Sequence, residues 1–282
     1  MPSAIVTRFA PSPTGYFHLG TAYSALFAER EAKAAGGRFL LRIEDTDAAR
    51  CRPEFTAAIF EDLAWLGLAW EEPVRRQSEH MADYAAALAR LEGLGVIYPC
   101  FCTRAEIAAE IAAAGAAPHG PDGPLYPGTC RGLDPALAAE RRARGDGQAL
   151  RLDVAKAAAL TGPLAWRDRE RGPQSAASST LGDVVLARKK DRPTSYHLAV
   201  TVDDHLQGVT LVTRGEDLVA STHVHRLLQA LLGLGVPEYR HHRLLTDASG
   251  RRFAKRDRAL TLRALRADGR TPDEVRAMAD FR

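Results

Sequence analysis

Arg8-Phe-Ala-Pro-Ser-Pro-Thr-Gly-Tyr-Phe-His-Leu-Gly-Thr21 is the stretch on which the fold turns. Just before and into it, Ala4 to Phe9 forms a short, mostly apolar run. The Pro- and Gly-rich centre can continue neither a strand nor a helix and reads as a loop. Beyond Gly20 the apolar positions take helical spacing, with Tyr23, Leu26, Phe27 and Arg30 on one face of a helix that Gly36-Gly37 ends. Phe39-Leu-Leu-Arg-Ile43 then reads as a strand buried on both faces. Strand, loop, helix and strand within about 40 residues have the length of a βαβ unit, so the expected fold class is α/β with a Rossmann-type parallel sheet. The helix beginning near Gly20 presents free N–H groups and a positive dipole end, which suits a phosphate chain. Gly20 lets that chain approach, and His18 adds a hydrogen bond or a positive charge.

The 282 residues, 46% hydrophobic and 26% charged, describe an ordinary globular chain of roughly 1–2 domains. No run approaches the ~18 apolar residues of a membrane helix. Met1 to Arg8 has neither the basic nor the apolar part of an export signal, so a cytoplasmic protein with no membrane partner is expected. Further along, Phe55, Ile59, Leu63 and Leu66 mark a second helix with Pro53 in its first turn, and Met81, Tyr84, Leu88 and Leu91 mark a third. Composition shifts after Gly95. Thr103-Arg-Ala-Glu106 fits a capping box, and Gly115 to Gly132 is dense in Gly and Pro. The chain therefore divides into a first half of the Rossmann-type domain at 1–97, an insertion at 98–190 and a second half at 191–282. Leu150, Leu152 and Val154 alternate as a strand, the alternation resumes from Tyr196 to Asp203, Val209 to Thr213 is a further candidate strand, and Asp217 to Leu232 reads as a helix burying Leu227, Leu228, Leu231 and Leu232.

Two more clusters carry chemistry. Arg240 to Arg270 holds ten Lys or Arg against three Asp, a local excess of seven; this is a candidate polyanion face, although on charge alone a solvated surface is the preferred reading. Within it, Leu244 to Arg256 is a Gly-containing loop in which Lys255, among arginines, can close over a triphosphate. Cys100, Cys102 and Cys130 lie within 31 of the 282 positions. In a reducing compartment that favours metal over disulfide, and three thiolates with one further donor make a closed tetrahedral zinc site. Cys51 stands alone and has no assigned role.

Together, Arg8 to Gly15 with His18-Leu-Gly-Thr21, Arg42-Ile-Glu-Asp-Thr-Asp47, Val202-Asp-Asp-His205 with Gly208-Val-Thr210, Arg214-Gly-Glu-Asp-Leu218 and the Lys255 loop resemble the catalytic core of glutamyl-tRNA synthetases. The resemblance spans most of the chain. It implies a class I synthetase fold with a HIGH-type motif at His18 to Thr21 and a KMSKS-type loop at Arg252 to Arg256. That loop departs from the family pattern in carrying Arg252 and Ala254, while Lys255 is kept. With no length expected for an anticodon-binding domain, and with the cysteine cluster, the chain is similar to the glutamyl-queuosine tRNA(Asp) synthetase subfamily. Its members activate L-glutamate with ATP without needing tRNA, and transfer it to queuosine in the anticodon of tRNA(Asp).

The amino acid needs a cation for each carboxylate and an anion for its ammonium, roles open to Arg8, Arg214 and Glu44, with Ser12 and Tyr196 completing hydrogen bonds. The resemblance assigns the glutamate pocket to Arg8, Ala10, Ser12, Glu44, Tyr196 and Arg214, and ATP binding to His18, Gly20, Thr21 and Lys255, with His18 and Lys255 catalytic. Activation needs no general base because the attacking carboxylate is already ionised. Mg2+ is expected with ATP. The subfamily pattern makes Tyr126 the fourth ligand of one Zn2+ per chain, beside Cys100, Cys102 and Cys130; His119 is the more ordinary ligand in the same loop. Two alternatives stay open, a glutamyl-tRNA synthetase charging the tRNA 3′ end and a non-catalytic, zinc-containing RNA-binding paralogue.

Overall fold

The expected βαβ unit is present. In the computed structural model, strand β1 (Val6–Phe9) leads through the quoted loop into helix α1 (Leu19–Ala34), and β2 (Arg38–Ile43) returns parallel to β1, with Thr7 opposite Phe39 and Phe9 opposite Leu41. Described are residues 4–113, 119–120, 123–188, 194–246, 261–279 and 281, with side chains left undescribed from 113 to 124. Lys255, Arg252, Ala254 and Arg256, and the His119 side chain, lie outside this description.

Next come α2 (Pro53–Trp65), β3 (Glu71–Arg76), α3 (Met81–Gly93), β4 (Ile97–Cys100) and α4 (Arg104–Ala113), followed by the two-residue strands β5 (His119–Gly120) and β6 (Gly123–Pro124). The chain continues with α5 (Pro135–Ala143), β7 (Ala149–Leu152), α6 (Val154–Thr161), β8 (Ala165–Asp168), β9 (Gly172–Ser175) and β10 (Val185–Arg188). It ends with α7 (Tyr196–Leu206), β11 (Leu211–Gly215), α8 (Val219–Leu232), β12 (Glu238–His242), α9 (Leu262–Ala267) and α10 (Pro272–Met278).

Strands β1, β2 and β3 form one parallel set, and β11, β12 and β8 another that β9 extends antiparallel. They meet at β1 and β11, where Thr210 N–H donates to the Val6 carbonyl at 3.0 Å and Val6 N–H to Thr210 Oγ1 at 2.8 Å. Strand order thus runs outward from β1 in both directions, which makes the β1/β11 junction a switch point with a crevice beyond its carboxyl ends. Alternation along β2 sorts the two faces. Phe39, Leu41 and Ile43 join the core with α1 and α2, whereas Leu40 belongs to a separate cluster with Trp166 and Tyr239. Arg42, facing the same way as Leu40, meets Asp203 and Asp204 of α7.

Within residues 98–190, β10, β7 and β4 form an antiparallel sheet, while β8 hydrogen-bonds to the sheet of the C-terminal stretch. The capping box at α4 closes both ways, Glu106 N–H to Thr103 Oγ1 at 3.2 Å and Thr103 N–H to Glu106 Oε2 at 2.6 Å. Two expected strands are corrected. Val154 opens a helix, because the Asp153 side chain accepts the Lys156 N–H at 3.0 Å and ends β7 at Leu152. Tyr196 to Asp203 is the helix α7, capped by Ser195, whose hydroxyl accepts the Leu198 N–H. Its polar positions Thr201, Asp203 and Asp204 are themselves buried, so they mimic a solvent-facing alternation. The strand expected from Val209 runs from Leu211 to Gly215, and the following helix begins at Val219 after a 3-10 turn at Glu216–Leu218. In it Leu227, Leu228 and Leu232 are buried and Leu231 only in part.

Candidate active site

A cavity of about 490 Å3 opens beyond the carboxyl ends of β1, β2, β11 and β12. Arg8, Ala10, Ser12, His18, Gly20, Thr21, Glu44, Tyr196 and Arg214, all singled out in the sequence, line it together. His18 caps α1: its Nδ1 accepts the Thr21 N–H at 3.3 Å, and its Nε2 lies 3.2 Å from Thr21 Oγ1. A Cβ on Gly20 would stand 3.2 Å from the His18 ring, and one on Gly215 would fall 2.5 Å from Asp217 Oδ1 and 2.8 Å from Leu244, so a side chain at either position would have to displace a neighbouring one. The Lys255 segment lies outside the described residues, but its flanks reach this cavity. Leu244 and Leu245 line it, and Leu262 N–H donates to the Phe17 carbonyl at 2.8 Å.

The cations differ in their surroundings. Arg8 donates from Nε to Asp204 Oδ1 at 2.9 Å and from Nη1 to the Thr213 carbonyl at 3.1 Å. Arg42, fully buried, shares Asp204 at 2.9 Å and lies 3.4 Å from Glu44. Burial would raise the Asp204 carboxyl, but the two arginines outweigh it and hold it below the usual range. Glu44 is pushed up to about 7 by burial, against the pull of Arg42 and Arg8.

Arg214 is also buried, yet among the described residues no carboxylate lies within 4 Å of it. Its donors meet neutral acceptors: Nε to His241 Nε2 at 3.2 Å, Nη1 to the Tyr196 hydroxyl at 3.2 Å and beside His225 Nδ1 at 3.2 Å, and Nη2 to Thr222 Oγ1 at 2.5 Å. His197 stands behind, 3.2 Å from His225. Burial, with Arg214 adding to it, lowers His197 and His241 to about 4 and His225 well below its ordinary value. All three rings are therefore neutral near pH 7. A surface ion pair between Glu44 and Arg214, the plainest reading of those two residues alone, does not form.

The sulfurs of Cys100, Cys102 and Cys130 lie within 4.8 Å of one another, 3.4 Å apart for Cys102 and Cys130. Cys100 Sγ donates to the Tyr126 hydroxyl at 3.3 Å; the same hydroxyl lies 3.6 Å from Cys102 Sγ and accepts the Cys130 N–H at 3.0 Å. Tetrahedral zinc at about 2.3 Å from each sulfur spaces them about 3.8 Å apart, so the donor set fits that ion. Arg151 covers the Tyr126 ring at 3.8 Å.

Not all of the basic stretch is available to a polyanion. Arg240 pairs with Glu31 and Glu170, Arg266 with Glu61, and Arg270 with Glu274. Sequence reasoning left His241, His225, Thr222 and Asp204 without roles. Asp204 lay inside a quoted motif, while the histidines lacked any spacing signal because strand pairing and a helix face bring them to Arg214.

A parallel sheet with its pocket at the switch point, a helix N-terminus and buried cations at the pocket define an α/β protein whose cavity suits an anionic ligand. The family profile of tRNA synthetases class I (E and Q), catalytic domain, matches residues 4–278, and the chain belongs to that family of ligases. It is 48% identical over 279 residues to a Glutamyl-Q tRNA(Asp) synthetase of Rhodobacter capsulatus, covering 97% of this chain and 99% of the relative. It is 44% identical over 275 residues to Glutamate--tRNA ligase 2 of Acidithiobacillus ferrooxidans, covering 93% and 55%. A glutamate-tRNA synthetase crystal structure from Elizabethkingia anophelis superposes with a TM-score of 0.77 at 31% identity; the alignment covers 90% of this chain and 53% of that one, so this chain matches about half the length of that structure. Among the described residues no helix is long and apolar enough to cross a membrane.

Proposed function

We propose that the protein activates L-glutamate with ATP and transfers it to queuosine in the anticodon of tRNA(Asp). The observation that carries the first half is Arg214, a buried guanidinium whose hydrogen-bond partners among the described residues are all neutral, facing a cavity that also presents Glu44 and the N-terminus of α1. Such a cation calls for a ligand carboxylate, Glu44 for the ligand ammonium, and the helix end with His18, Gly20 and Thr21 for phosphates. Ser12 and Tyr196 complete the amino acid's hydrogen bonds, and Ala10 leaves room for it. In this reading the glutamate α-carboxylate attacks the α-phosphorus of ATP and pyrophosphate leaves; Mg2+ and Lys255 supply the opposing charge. Cys100, Cys102, Cys130 and Tyr126 would hold one Zn2+, which would brace the edge of the β10-β7-β4 sheet. The anticodon acceptor is supported by what the relatives at 48% and 45% identity are named, and by their being matched over 99% and 83% of their length.

A second reading, charging of a tRNA 3′ end, is favoured by the ligase at 44% identity. ATP–pyrophosphate exchange with L-glutamate in the absence of tRNA, followed by transfer to tRNA(Asp) with and without queuosine, separates the two. Queuosine-dependent transfer that survives periodate oxidation of the terminal adenosine, under conditions sparing the queuosine diol, is expected. Robust charging of unmodified tRNA(Glu) would replace this reading by the second.

A further inference from the structure

We propose that Asp168 and His241 are positioning residues that fix Arg214 through a neutral imidazole, so that its charge is aimed but left for the substrate carboxylate. This rests on the reading of Arg214 as the cation of the glutamate pocket. Asp168 ends β8, the strand that joins β12 from inside the 98–190 stretch. Its Oδ1 accepts the Glu170 and Arg171 N–H groups at 2.8 and 3.0 Å, and its Oδ2 lies 2.6 Å from His241 Nδ1. Both side chains are completely buried.

The proton positions follow. Burial would raise the Asp168 carboxyl, but the hydrogen bond from His241 and the two backbone donors bring it below its ordinary value, so it is an acceptor only. His241 must then carry its single proton on Nδ1. That leaves a lone pair on Nε2, which faces Arg214 Nε at 3.2 Å. Tyr239 holds the ring from one side, nearly parallel at 6.0 Å between centroids, and Trp166 meets it edge-on at 5.8 Å. Tyr239 also lies beneath Arg214, whose Cζ is 5.3 Å from the ring centroid. A carboxylate in direct contact would hold the guanidinium equally well but would neutralise it, as Asp204 does for Arg8. The interposed imidazole keeps the orientation and moves the negative charge one ring further away.

The test is a double-mutant cycle read by pyrophosphate exchange. Asp168→Asn turns an amide donor toward Nδ1 and drives the His241 proton to Nε2, against Arg214. We expect KM for glutamate to rise about 10- to 100-fold from a misaimed contact, with KM for ATP unchanged, and the imidazole 15N shifts of His241 to report the exchanged tautomer. In the Arg214→Gln background the same change should add nothing. His241→Gln, which can accept from Arg214 and donate to Asp168, should recover much of the glutamate affinity that His241→Phe loses. An unaltered glutamate KM in Asp168→Asn, or an equal penalty in both backgrounds, would overturn the proposal in favour of a purely structural role. Failure of Arg214→Gln itself to affect glutamate would instead remove the reading beneath it.

Discussion

Two sides of one pocket treat a buried arginine in opposite ways. On the side of β1 and β2, Arg8 and Arg42 share Asp204, with Asp203 and Glu44 close to Arg42. On the side of β11 and β12, Arg214 meets two histidines, a tyrosine and a threonine, and the Asp168 carboxylate stands behind His241. An uncompensated buried charge is costly. A protein that keeps one at the mouth of a cavity, beside a pair of matched ones, has left a place for a ligand's charge. The matched side holds the sheet and α7 together, and under the proposed function the unmatched Arg214 is the cation left for a ligand carboxylate.

The contrast breaks if the two sides respond alike to substitution. Asp204→Asn strips Arg8 and Arg42 of their shared carboxylate and should cost about 3–5 kcal/mol of unfolding free energy, as when a buried pair loses one partner; chemical denaturation measures it. Arg214→Gln should leave the denaturation midpoint at or above that of the unaltered protein, because it removes an unmatched charge, yet lower kcat/KM for glutamate by about 10²–10³-fold, or roughly 3–4 kcal/mol. A destabilised Arg214→Gln with normal glutamate kinetics would put its counter-charge inside the protein.

A pH series sharpens the same comparison. Glu44 titrates near 7 because burial raises it, and an ammonium ligand requires its ionised form. Glutamate affinity should therefore fall as pH drops below about 7, by up to about tenfold per unit, with the slope lost in Glu44→Gln. In the free protein Glu44 acts with opposite sign, since its folded form holds a proton that the unfolded chain has released between 4.5 and 7, so its contribution falls as pH rises. The depressed histidines run the other way. Their stabilisation is complete above their ordinary pKa of 6.5 and is lost as pH falls toward about 4. With five lowered histidines, His197, His223, His225, His241 and His242, against two raised carboxyls, Glu44 and Asp62, thermal melts between pH 6.5 and 4.5 should show net loss of stability on acidification.

Much of this was legible in the chain. The β1 loop, the capping helix and the cysteine trio rest on local residue types, and local chemistry survives reading in one dimension. Helix α7 did not read correctly, because Thr201, Asp203 and Asp204 are polar and buried at once, and polarity along a chain is ordinarily taken as exposure. The neutral cage of Arg214 was not readable either. Thr222 and His225 come from α8, His241 from β12 and Asp168 from β8, and only the strand order β11-β12-β8 brings them together. The basic stretch read too strongly for a related reason, since Glu31, Glu61 and Glu170 lie far away in sequence from the arginines they pair with.

That last point gives the smallest expected effect and the most direct check on whether a matched arginine is spent. Arg240 lies between Glu31 at 2.6 Å and Glu170 at 2.5 Å, with 29% of its side chain exposed. Its charge already has two partners, and a phosphate would have to displace them. Arg240→Gln should therefore cost about 0.5–1 kcal/mol of stability, the range of partly exposed pairs. It should change the slope of log K against log salt for tRNA by clearly less than the ~0.7–0.9 that a lost phosphate contact produces. Filter binding across a salt series reads this directly. A full unit of slope lost at Arg240 would mean that RNA opens the pairs with Glu31 and Glu170, and that pairing in the free protein does not decide which arginines bind.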